Sequence, residues 1–145
     1  MEIELTTDEH LRALAALEAV VGDKDEALAA LAGDTGERPL PALLAAYGQH
    51  TLHRILIQAF GIDATTTYDE TGRLVSEINS DPMARIVFVL TDALHNQAAL
   101  AGHDPTAAKL IGRSLLLAIH AFTDADNDDA LALLRALRSQ VLQAD

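Results

Sequence analysis

The sequence predicts an all-α fold, a single helical bundle of five or six helices over residues 1–145 with one β-hairpin inserted at about 65–78. Three observations predict it. Ala (27) and Leu (24) dominate the 145 residues, and both enter helices at little cost in side-chain entropy. Aromatic residues are only 3% of the chain, and β-branched ones, which fill pleated surfaces, cluster in a few short windows. Finally, capping residues recur just ahead of stretches with helical apolar spacing. A chain of this size buries roughly two-thirds of its unfolded surface, so one core suffices. It has no cysteine to staple it.

Taken in order, Thr6 and Glu9 form a capping box opening a helix over about 7–21, with Gly22 predicted to end it in the left-handed conformation. His10, Leu14, Leu17 and Val21 share one face, with Ala13 and Val20 beside them. Asp23 and Glu26 repeat the box for a short helix over about 24–32, and the Gly- and Pro-rich residues 33–39 form a loop. Pro39 and Pro41 start a helix that runs to Phe60, where Gly61 closes it; Gly48 inside it leaves room for a close neighbour.

Residues 65–78 change character. Thr and Tyr flank Asp69-Glu70-Thr71-Gly72, which has turn chemistry, so a hairpin is predicted there. An isolated hairpin is marginal in water, which suggests either docking on the helices or strand addition from a second copy, a homodimer through the hairpin. Asp81 and Pro82 then start a helix over about 82–101, expected at the centre of the fold because only Arg85, Asp92 and Asn96 make a polar stripe. Asp104 and Pro105 start another to about 122, with a basic stripe of Lys109, Arg113 and His120. A last amphipathic helix is expected over about 128–143.

The net charge of −12 is unevenly spread, with −8 in residues 1–37. Such a surface repels phosphate backbones, which argues against ordinary nucleic-acid binding, and attracts basic partners at long range. Apolar stretches are too short for a membrane span, and the first ten residues are acidic without an apolar core, unlike a secretory signal; a soluble cytoplasmic domain is expected.

Few constellations carry chemistry. His50 and His53 stand three apart on one predicted helix, and Asp92 and His95 three apart on another, so the four form a candidate metal set. With Tyr47 and Phe88 the same four make a candidate ligand pocket between helices. Solvated or capping histidines are the simpler account, because His50 and His53 share their arc with Arg54 and Gln58. Asp124, Asp126 and Asp128 imitate a calcium loop, but Asp129 stands where Gly is needed and Arg135 where a closing carboxylate is needed; helix capping accounts for the run. The Lys109, Arg113 and His120 stripe either holds an anion or pairs with the chain's own acids, the second being favoured.

No catalytic residue is assigned, no cofactor is expected, and catalysis is the weaker expectation because no acid–base constellation is assembled. The function expected from sequence is an acidic, non-enzymatic interaction module, an adaptor, inhibitor or immunity-type partner of a basic protein surface. Its expected contact residues are Asp8, Glu9, Asp23, Asp25 and Glu26. The alternative is a helical bundle that binds a small molecule or metal through His50, His53, Asp92 and His95.

Overall fold

A computed structural model describes residues 5–31, 37–59, 61 and 65–123. Within them run α1 (Thr7–Val21), α2 (Asp25–Ala30), α3 (Leu40–Ala59), α4 (Tyr68–Ser80), α5 (Pro82–Ala101) and α6 (Pro105–Thr123), with no strand among the described residues. The expected helix at 128–143, the aspartates from Asp124 onward and residues 33–36 of the expected loop lie outside them.

The inserted hairpin is therefore corrected: its central part is a helix. Thr67 and Glu70 repeat the capping box of Thr6 and Glu9, each side chain bonded to the other's backbone N–H. From there Thr71, Leu74 and Ile78 fall on one arc at helical spacing, and they are the least exposed residues of α4. Asp69 and Glu70 occupy the first turn, where the helix N-terminus favours carboxylates. Gly72 sits inside the helix and has no positive φ. With no strand there, strand addition through these residues loses its basis.

Two smaller corrections concern caps. Gly22 has an ordinary right-handed conformation (φ −83°), and the left-handed residue is Asp23 (φ 54°). Lys24 N–H donates to the Ala19 carbonyl and Asp23 N–H to the Val20 carbonyl, so a Schellman closure forms with Asp in the place usually given to Gly. The second box does not form: Lys24 is the N-cap of α2, and no side chain caps it. The other starts form as expected. Asp81 accepts from Ala84 N–H at 2.9 Å with Pro82 opening α5, and Asp104 accepts from Thr106 N–H at 3.0 Å.

The centre of the fold is α3, which packs most extensively on α5 and α6 and also on α1. Its residues 43–48 are buried without a break, and Leu52 and Leu56 continue the buried side. Leu14 and Leu17 from α1, Val87 from α5 and Ile111, Leu115 and Ile119 from α6 join Leu40, Leu43 and Leu44 in one buried cluster. Burying an aliphatic side chain of this size contributes about 1.5–3 kcal/mol. Glycines set two close approaches: a β-carbon at Gly48 would stand 3.0 Å from Leu115 Cδ1, and one at Gly112 3.0 Å from Val20 Cγ2. No helix among the described residues is long and apolar enough to cross a membrane.

Candidate functional site

The acidic amino-terminal region meets the chain's own cations at two places. At the start of α1, Glu9 closes the capping box with Thr6 and also takes Arg38 at 3.1 Å. Arg12, one turn on, donates from Nε to the Leu31 carbonyl (2.9 Å) and from Nη1 to the Arg38 carbonyl (2.8 Å). It thereby ties the end of α2 and the approach to α3 onto α1. An open cleft of about 590 Å³ lies here, lined by Thr6, Asp8, Glu9, Arg12, Glu37 and Arg38. Two of its carboxylates already have an arginine nearby, Glu9 beside Arg38 and Glu37 3.9 Å from Arg12, while Asp8 is exposed.

The second place is the corner of α1, α2 and α6. Lys109 Nζ donates to Asp23 (2.6 Å) and Asp25 (2.7 Å), and Arg113 adds a contact to Asp23 at 3.7 Å. The left-handed turn at Asp23 brings its carboxylate to α6. The hydrogen bond from Lys109 lowers the Asp23 pKa, and the bonds to Asp23 and Asp25 raise that of Lys109. Glu26 is exposed beside them. Of the five expected contact residues, Glu9, Asp23 and Asp25 thus hold internal cations, as favoured for the Lys109 stripe, while Asp8 and Glu26 face outward.

Four of the six histidines divide between two helix contacts. His10 of α1 lies edge-on to Tyr47 (5.9 Å between ring centroids) and to His50 (5.3 Å). Desolvation lowers the His10 pKa, with Arg54 acting in the same direction and Glu9 opposing. Burial raises the Tyr47 pKa against a hydrogen bond with Thr51 and the charge of Arg54. On the α5 side of α3, His53 lies edge-on to Phe88 (5.2 Å), and His95 Nε2 is 2.6 Å from Gln49 Oε1. Asp92 is exposed. Tyr47 and His50 therefore join α1 to α3, whereas His53, Phe88 and His95 join α3 to α5. Among the described residues no group of three or more His, Cys, Asp or Glu is placed to hold a metal ion.

Sequence reasoning missed the outward side of α5. Ile86, Val89 and Leu100 are 58%, 69% and 92% exposed, and Ala93 is exposed between them. Val87, Leu94 and Ala98 face the core instead. Almost every arc of this helix is apolar, so its hydrophobic pattern alone does not say which arc turns inward. The charge around it differs from the amino-terminal corner. From α4 to the start of α6 the chain holds Asp69, Glu70, Glu77, Asp81, Asp92 and Asp104 against Arg73 and Arg85. Among the described residues the ion pairs gather on α1, α2, α6 and the approach to α3, and none reaches α4 or α5. Comparison with protein-family models, curated proteins and solved structures finds no match to this chain.

Proposed function

We propose that this helical domain is a protein-interaction module for a partner with a cationic surface. The observation that carries the reading is the carboxylate excess of the α4–α5 layer, on the same helices that expose Val75, Ile86, Val89 and Leu100. Unlike Asp23 and Asp25, the carboxylates there make no ion pair among the described residues. Large exposed apolar side chains beside like charges favour association with an oppositely charged protein over solvent exposure. The chain's total of −12 supplies the long-range part, to which Asp8 and Glu26 contribute from the exposed surface.

The test is recovery of a partner from cells that make the protein, using the full chain as bait at low salt. The partner should be basic and should elute as salt rises, because screening shortens the reach of surface charge. It should also be lost when Asp69, Glu77 and Asp92 are changed to Asn or Gln. A partner whose retention ignores both salt and those three carboxylates contradicts the reading.

A further inference from the structure

The outward side of α5 is ordered as a ridge. At 100° per residue, Pro82, Ile86, Val89, Ala93 and Leu100 fall within an arc of about 60°, roughly opposite the buried Val87, Leu94 and Ala98. All five are exposed. The line runs the length of the helix, about 27 Å at the standard rise. Its steps of four, three, four and seven residues are those with which one helix seats its ridges in the grooves of another. Small Ala93 at the middle lets a second backbone come near. The far side of α5 is held by α3, so the ridge contributes nothing to the described core.

Charge decides between occupants. A second copy would bring the same acidic surface, and the whole chain carries −12, so like charge would meet like. A strand has no sheet edge to join among the described residues. A helix with an apolar row flanked by Lys and Arg matches both the ridge and the acids on the adjoining arc of α5, Asp81 and Asp92, which outnumber the one arginine there, Arg85.

We infer that the ridge formed by Ile86, Val89, Ala93 and Leu100 is the docking site for a basic amphipathic helix of a partner protein. The inference rests on the cationic-partner reading and adds to it the surface and the shape of the ligand.

The experiment uses the full chain and three probes: a Leu/Lys amphipathic helix of about 18 residues, its Leu/Glu counterpart, and polylysine. The double variant Val89→Ser, Leu100→Ser removes ridge side chains that are already exposed, and Leu117→Ser on α6 is the control for an exposed leucine elsewhere. Circular dichroism confirms that each variant is folded. The Leu/Lys helix is expected to bind, about tenfold or more weakly to the double variant and within about twofold of the parent to Leu117→Ser. The Leu/Glu helix is expected not to bind.

Equal affinity of the Leu/Lys helix for parent and double variant overturns the ridge as the site while leaving the cationic-partner reading intact. Binding of polylysine without the Leu/Lys helix does the same. Tight binding of the Leu/Glu helix overturns the charge argument, and failure of all three probes overturns the ridge and the reading together. A parent chain that sediments as a dimer, with the double variant a monomer, assigns the ridge to a second copy and overturns the inference.

Discussion

Leu115 places its Cδ1 methyl 3.0 Å from the point where a β-carbon on Gly48 would stand, so the spacing of α3 and α6 depends on that missing side chain. The Gly112–Val20 contact between α6 and α1 has the same closest distance. Alanine at either site gains about 1 kcal/mol in helix propensity but overpacks the core, at a cost of about 1–3 kcal/mol. Val20 is β-branched and stiff, whereas the Leu115 methyls lie at the end of a longer side chain. Gly112→Ala is therefore expected to lose about 1 kcal/mol net, and Gly48→Ala less. Urea unfolding measures both, and a Gly112→Ala protein more stable than its parent contradicts this packing.

Gly72 is the opposite case. It lies inside α4, and a β-carbon there would meet no atom within 4 Å. Gly72→Ala should stabilise the protein by about 0.5–1 kcal/mol. The same substitution tests the helix against a hairpin, because alanine in a positive-φ turn would be destabilising. Thr67→Ala removes the oxygen that accepts from Glu70 N–H and should cost about 1 kcal/mol. Loss of stability in Gly72→Ala, with no effect of Thr67→Ala, would reinstate the turn.

These glycines show what the sequence makes legible. Caps are local, so Thr6 with Glu9, Asp81 with Pro82 and Asp104 with Pro105 announce α1, α5 and α6 correctly. Thr67 with Glu70 is the same signal, but it stands among Thr, Tyr, Asp and Gly, whose strand and turn preferences outweigh it unless the spacing of Thr71, Leu74 and Ile78 is followed. Burial is less legible than helicity. Ile86 and Leu94 are equally apolar, and only the position of α3 decides that Leu94 is buried. The pairing of Asp23 with Lys109 joins positions 86 residues apart. Charge patterning suggests such a pair, but the left-handed turn that delivers the carboxylate is a property of the folded chain.

Arg12 carries a separate prediction. Its guanidinium reaches two carbonyls, on Leu31 and Arg38, from a side chain only 14% exposed. Lysine has a single ammonium on a flexible stem and does not reproduce the fork. Arg12→Lys should cost about 1.5–3 kcal/mol, the range for losing a hydrogen bond from a charged group. Glu37→Gln should change stability by less than about 0.5 kcal/mol, since that carboxylate is 3.9 Å from Arg12 and 55% exposed. Thermal or urea unfolding separates the two, and equal losses would mean that the ion pair matters more than the carbonyl clamp.

His10 makes stability depend on pH in a definite direction. Desolvation holds its pKa below the ordinary value, Arg54 adds to the effect and Glu9 opposes it. The folded protein therefore binds less proton at His10 than the unfolded chain does wherever the unfolded imidazole titrates, so the unfolding free energy rises with pH there. The stabilisation is fully present above the unfolded value of about 6.5 and is lost as pH falls through the lower folded value. Asp23 has the same sign in a lower window, since its lowered pKa gives stability that disappears only as pH falls through the acid range. Unfolding measured between about pH 7.5 and 5.5 brackets the ordinary imidazole value and lies above the ordinary carboxylate range. His10→Gln should flatten that part of the profile while keeping the loss at more acid pH. An unchanged slope in His10→Gln would place the titration on another group and leave the His10, Tyr47 and His50 contact without a role in it.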